Sequence, residues 1–368
     1  MKTSVLKTFE HGFKRIFFAL SQLFLQKGRG LTAPINPAEI RRVVFIRPEK
    51  LGDMIISLPV FYNLKKQYPH LEIFTICSPR NIAIVRENEH IAGNFLYTKN
   101  LFRDLAMIRR VRRLRADVVA DMVCDDSVTA LFLTQLSSPG AWRIGLGKNR
   151  HKDYYDFNYL YRTEDEAHVI DNTLRLLTAF GIDVDAAERH IPPTIPKSQY
   201  ERADDYIAGL NCSRPDHIIG LNISAGRPTR VWQEEKNAEL LKRLRGAYPA
   251  FHFIVSSDPS ERGRAVALAE RFESRVHPLP PGLSLLEVSA VISRLKLLIT
   301  PDTSMVHIAR SFNIPVVGLY TRFNRNYTLW RPYGQTGGTV VSGNDYTIHD
   351  IGVDEVFAAA VGLLSAEK

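Results

Sequence analysis

Arg42-Val-Val-Phe-Ile-Arg-Pro-Glu-Lys-Leu-Gly-Asp53, running on as Met54-Ile-Ile-Ser-Leu-Pro-Val-Phe-Tyr-Asn-Leu-Lys65, is the stretch on which the fold turns. Val43 to Ile46 form a short apolar run rich in β-branched residues, and Arg47 to Gly52 are turn-like. Met54, Ile55, Leu58, Phe61 and Leu64 then recur at helical spacing. The pattern predicts a strand, a loop and a helix. In an open parallel sheet such a loop lies at the carboxyl edge, where ligands bind, and Gly52 lets a ligand approach the backbone. Asp53 is then presented at the rim of a cleft. An aspartate is equally what a helix N-terminus prefers as a cap, so the position by itself supports either role.

Around this unit the chain is long enough for two domains: 368 residues, 45% apolar and 24% charged, a composition that supports a sizeable core. The three cysteines, Cys77, Cys124 and Cys212, lack paired spacing, which argues against a disulfide framework or a zinc site and for a reducing compartment. The net charge of +9 is local. Residues 1–42 and 99–115 carry +6 each, leaving the remainder slightly acidic. Such patches point to an anionic partner: membrane headgroups, a phosphorylated substrate or nucleic acid. Nucleic acid is disfavoured because the run Arg109 to Arg115 lacks interleaved aromatic residues.

Residues 3–26 put Leu6, Phe9, Phe13, Ile16, Phe17, Leu20 and Phe24 on one helical face, opposite Lys7, His11 and Lys14. The uncharged run 16–26 is too short to span a bilayer, and 26–30 is a poor cleavage site for a signal peptide. An interfacial amphipathic helix on an anionic membrane is expected, with packing on protein as the competing role. A linker at 32–37 precedes strands at 43–46, 72–77, 95–98, 118–122 and 142–146, alternating with helices that end at Gly181. After Pro192, Pro193 and Pro196 a second series follows, with strands at 218–223, 251–256, 297–300 and 315–320 and a closing helix at 353–364. Three segments result: 1–37, 38–190 and 191–368. Neither G-x-G-x-x-G nor a P-loop follows any strand, which disfavours a dehydrogenase or a P-loop nucleotidase.

Two further stretches stand after strands of the second series, Asn222-Ile-Ser-Ala-Gly-Arg-Pro-Thr-Arg-Val-Trp232 and Thr300-Pro-Asp-Thr-Ser-Met-Val-His307. Taken singly, Asp302 and Thr303 suit an N-cap, His307 a core position and Arg230 a solvated surface. With Leu51-Gly-Asp53 they resemble glycosyltransferase family 9, the lipopolysaccharide heptosyltransferases, over nearly the whole chain from Arg42 onward. The resemblance implies an α/β GT-B architecture, two Rossmann-like domains facing across a cleft, the first holding the acceptor and the second the donor. It implies inverting transfer of heptose from ADP-heptose to the inner core of a lipid A acceptor. Asp53 would be the base, and Arg230, Asp302, Thr303, Ser304 and His307 would line the donor site. The sequence departs from the family's common pattern at Arg230, Gln233 and Ser304, where Lys, Pro and Gly are usual.

Inverting transfer needs one base and an electrophilic surface for the departing diphosphate, which a helix N-terminus with Thr303, Ser304 and Arg230 can supply. That scheme requires no metal and no cofactor. Gly52, Lys99, Arg103, Lys148 and Arg150 are the expected acceptor contacts, and a cytoplasmic enzyme peripheral to the inner membrane is the expected setting. Another nucleotide-sugar and surface glycan, or a catalytically silent accessory protein, are the alternatives.

Overall fold

In a computed structural model, residues 25–30, 33–160, 167–212 and 217–366 are described. The helix expected over 3–26 lies outside them, except for Leu25 and Gln26, which are not helical. The first sheet comprises β1 (Arg42–Ile46), β2 (Glu72–Cys77), β3 (Gly93–Leu96), β4 (Val118–Asp121), β5 (Trp142–Leu146) and β6 (Phe157–Tyr159) in the order β3-β2-β1-β4-β5-β6. The second comprises β7 (Ile218–Asn222), β8 (His252–Ser256), β9 (Val276–Pro278), β10 (Leu297–Pro301), β11 (Val316–Tyr320) and β12 (Thr339–Val341), ordered β12-β11-β10-β7-β8-β9. Every pairing is parallel. Each sheet is thus a doubly wound unit with the same strand order.

Burial explains the centre of each sheet. Val43, Val44, Phe45 and Ile46 are fully buried, as expected for a strand covered on both faces by crossover helices. Val43 pairs with Ile73 on one side and Val118 on the other. In the second sheet, Ile299 pairs with Val317 and Leu221. One hydrophobic cluster runs through both domains, joining Phe45, Met54, Phe61 and Phe180 to Val306, Ile308, Leu298 and Ile218. A second lies beneath the closing helix Val353–Ala366, around the fully buried Trp232, whose indole N–H donates to the Ile351 carbonyl at 3.1 Å.

The expected continuous helix after Gly52 is two helices, Leu51–Ile55 and Leu58–Gln67. Ser57 breaks the pattern by turning its hydroxyl back to the Asp53 carbonyl at 2.8 Å, and Pro59 sits in the first turn of the second helix, where a missing N–H costs nothing. The 3-10 turn Arg175–Phe180 stops at Gly181, which adopts a left-handed φ of 72° as a C-terminal cap. Residues 26–29 are fastened to the amino edge of the first sheet. Arg143 donates to the carbonyls of Gln26 and Lys27 at 2.7 Å each, and Arg29 pairs with Asp156 while lying 3.4 Å over the Trp142 ring. A Cβ on Gly28 would fall 2.0 Å from the Tyr155 carbonyl oxygen, so only glycine fits there.

Lys148 corrects one expectation. Its side chain is fully buried rather than offered to a ligand, because the ammonium lies 2.8 Å from Asp121 and donates to the carbonyls of Val123 and Asp125. Tyr155 supplies Asp121 with a second partner, its hydroxyl 2.6 Å away. The lysine therefore locks the ends of β4 and β5 together. Lys148→Met leaves a buried carboxylate half-paired and should lower stability by about 3–5 kcal/mol, read as a fall in the denaturant midpoint. A surface contact to an acceptor would instead raise KM with the midpoint unchanged.

Candidate functional site

The site forms where the carboxyl edges of the two sheets meet. Asp53 stands in the short helix after β1, and its Oδ2 accepts from the Lys50 backbone N–H at 3.0 Å, so the carboxylate does cap that helix. Its other oxygen is 3.6 Å from Nη2 of Arg47, a guanidinium with no solvent exposure. Arg47 also donates to the Asp53 carbonyl at 3.1 Å, to Glu49 at 2.7 Å and to the Met122 carbonyl. Asn81 donates to the Arg47 carbonyl at 2.8 Å and fixes the loop from the β2 side. The Asp53 side chain keeps 14% exposure, enough to be reached from the cleft.

Opposite lies the helix Ser304–Ser311, which begins directly after β10. A Cβ on Gly52 would meet His307 Cδ2 at 3.3 Å and Ser304 Cα at 3.6 Å, so the absence of a side chain at Gly52 lets the two domains touch beside Asp53. His307 is buried, and burial holds its imidazole down to about 4 while Asp53 pulls the other way. It is therefore neutral at pH 7, with Nδ1 lacking a hydrogen-bond partner among the described residues. Its ring packs edge-on against Trp330 at 5.5 Å and against His168 at 6.3 Å. His168, held down to about 3 by burial and by His307, donates through Nε2 to the Arg331 carbonyl across the interdomain contact and accepts from the Ile170 N–H.

The residues that follow β7 and β10 form one chain of contacts. Arg230 ends a 3-10 turn after β7 and pairs with Asp302 at 2.8 Å. Burial raises the Asp302 carboxyl above its usual range, against the pull of Arg230 and Lys50. Thr303 caps the helix by accepting from the Met305 N–H at 3.3 Å, and its hydroxyl is 3.2 Å from that of Thr300. Asn222 at the end of β7 donates to Thr300 at 2.9 Å, which ties the two strand ends together. Helical N–H groups, a guanidinium and hydroxyls at two converging strand ends are the kinds of donor to which an anion such as a diphosphate can bond.

The structure thus unites Gly52, Asp53, Arg230, Asp302, Thr303, Ser304 and His307, and leaves other expected residues apart. Lys99 and Arg103 flank the start of the helix Leu101–Arg113 beyond the edge strand β3, exposed and two strands away from β1. Arg150 is exposed in a loop pinned by Asp126, which accepts from the backbone N–H groups of Asn149, Arg150 and His151. A cavity of about 850 Å³ at the opposite, amino edge, among Arg112, Arg115, Asp117 and Trp142, includes none of the site residues.

Glu49 is the residue that sequence reasoning missed. Burial pushes its carboxyl up to about 7, with Arg47 opposing the rise and Asp53, Asp125 and Asp121 adding to it. The signal was the charge alternation of Arg47, Glu49, Lys50 and Asp53 within seven positions after an apolar strand. A carboxyl that titrates at about 7 when folded and near its ordinary 4.5 when unfolded loses stability as pH rises across that window. Glu49→Gln removes the cost. Its melting temperature should match the parent's below pH 4.5, gain on it from there to pH 7, and keep a constant lead above.

Residues 105–355 match the family model described as glycosyltransferase family 9 (heptosyltransferase). The chain is 22% identical over 301 residues to lipopolysaccharide heptosyltransferase 3 of Escherichia coli, covering 77% of this chain and 83% of that protein. It is 22% identical over 314 residues to the lipopolysaccharide core heptosyltransferase OpsX of Haemophilus influenzae, covering 83% and 86%. Among solved structures, a family 9 glycosyl transferase from Veillonella parvula superposes with a TM-score of 0.73 at 19% identity, over 89% of this chain and 97% of that one. The Escherichia coli heptosyltransferase WaaC with ADP gives 0.67 at 16% identity, over 89% and 100%. The architecture is GT-B.

Proposed function

We propose that this chain, which belongs to glycosyltransferase family 9, is an inverting heptosyltransferase that moves heptose from ADP-heptose to the inner core of lipopolysaccharide. The chain is a glycosyltransferase by family, and the donor and acceptor are those named for its relatives: lipopolysaccharide for the curated proteins, ADP and an ADP-heptose analogue for WaaC. The observation that carries the reading is the contact of Gly52 with Ser304 and His307. It sets Asp53 on one domain beside the start of the helix Ser304–Ser311 on the other, which supports a base facing the leaving group.

In this reading residues 38–190 receive the acceptor and 191–368 the donor. Asp53 accepts the proton of the acceptor hydroxyl as its oxygen forms the bond to the anomeric carbon. The bond from that carbon to the diphosphate breaks on the opposite face, so configuration inverts. Negative charge grows on the leaving diphosphate, where Arg230, the hydroxyls of Thr303 and Ser304 and the helix N-terminus receive it. Arg47 is a positioning residue: it holds the backbone and carboxylate of Asp53 without touching substrate. Neutral His307 packs beneath the sugar-bearing side of the cleft and adds no cation there. Gly52 and Arg150, with Lys99 and Arg103 further out, would face the acceptor. A lipid-borne acceptor calls for a peripheral position on the cytoplasmic side of the inner membrane, with residues 3–26 contributing.

Asp53→Asn keeps the size and the backbone hydrogen bond of the carboxylate. It should leave the melting temperature and ADP affinity near the parent's while lowering kcat by about 10²–10⁴, the range general-base catalysis supplies. A kcat near the parent's would exclude Asp53 as the base. Arg230→Ala should weaken ADP by about 1.5–3 kcal/mol in calorimetry, because a charge-assisted contact is lost.

A further inference from the structure

The helix Leu101–Arg113 carries, apart from Arg103 and the neighbouring Lys99, an arrangement that sugar transfer does not use. Its inner side, Asp104, Met107 and Val111, is buried, the two apolar side chains in a cluster with Phe95 and Val119. Asp104 accepts from the Thr98 N–H at 2.8 Å and hydroxyl at 3.0 Å, which fixes the first turn. On the opposite side Phe102, Leu105, Arg109 and Arg113 follow at helical spacing along the middle of the outward face. Leu101 and Phe102 are 70% and 81% exposed. Lys99, Arg103, Arg110, Arg112 and Arg115 surround this stripe, and the only acid between 99 and 115 is the buried Asp104.

Exposed leucine and phenylalanine beside cations with no ion-pair partner among the described residues match one environment better than any other. An anionic bilayer surface takes apolar side chains into its headgroup and acyl boundary and cations among its phosphates. We propose that this face docks the enzyme on an anionic phospholipid bilayer, with Phe102 and Leu105 inserted and Arg109 and Arg113 among the lipid phosphates. A nucleic-acid partner would leave the two apolar side chains unused. Because β1, β2 and β3 are parallel, the helix starts at the same carboxyl edge of the sheet that bears Asp53. Docking through its first turn therefore turns the cleft edge toward the lipid. The inference does not depend on the sugar transferred.

The test uses the full chain carrying Phe102→Trp, with the parent's spectrum subtracted for Trp142, Trp232 and Trp330, and vesicles of phosphatidylcholine alone or with phosphatidylglycerol. With phosphatidylglycerol present, the emission of the new tryptophan should shift to the blue and be quenched by brominated acyl chains. Arg109→Ala/Arg113→Ala should weaken partition roughly 30-fold, at about 1 kcal/mol for each basic residue lost. Melting temperature and transfer to a soluble acceptor should stay at the parent's level in both variants. Binding to vesicles without any change at position 102 would put the membrane contact elsewhere and overturn the proposal. Absence of binding to either vesicle would overturn it too, as would equal affinity of the parent and the Phe102→Glu variant for a soluble polyanion with no preference for vesicles.

Discussion

A guanidinium sealed from water sits at the end of β1, and its need for partners shapes everything nearby. An unpaired buried charge costs several kcal/mol, so Arg47 persists only where oxygens surround it. Those oxygens come from the Asp53 carbonyl, the Glu49 carboxylate and the Met122 carbonyl at the end of β4, with the Asp53 carboxylate just beyond hydrogen-bond range. One side chain thus sets the course of the loop, the spacing of two strand ends and the aim of the carboxylate. Burial, with a smaller contribution from Asp53 set close by, moves the Glu49 proton into the neutral range.

Across the cleft the arrangement is complementary rather than symmetrical. The second domain offers a cation paired to a carboxylate, Arg230 with Asp302, and a capped helix start, whereas His307 and His168 are kept neutral by burial. Positive charge is therefore concentrated at Arg230 and the open N–H groups, and the wall next to Asp53 is uncharged and aromatic.

Much of this was legible in the sequence because the signals are local. Fully buried central strands read as apolar runs, and the ranges at 72–77 and 142–146 coincide with β2 and β5. β6, β9 and β12 were not legible: each has three residues at the outer part of its sheet, too few for any period. Of the candidate residues, those that follow β1, β7 and β10 did converge. Lys148 did not, because a lysine in a loop after a strand looks the same whether it faces solvent or folds back onto Asp121. Glu49 was passed over for a related reason: its character comes from Arg47, Asp53, Asp121 and Asp125, and the last two are brought in only by β4.

The hydrophobic cluster that runs without a break from Phe45 and Met54 to Val306 and Ile308 bears on how the molecule melts. Two domains joined by a thin polar contact unfold as separate events, but here each half completes the other's interior. Cooperativity should extend over both, giving a single calorimetric transition whose enthalpy scales with the entire chain. Neither half is then a portable module: cut near residue 190, each would present an oily wound in place of its partner.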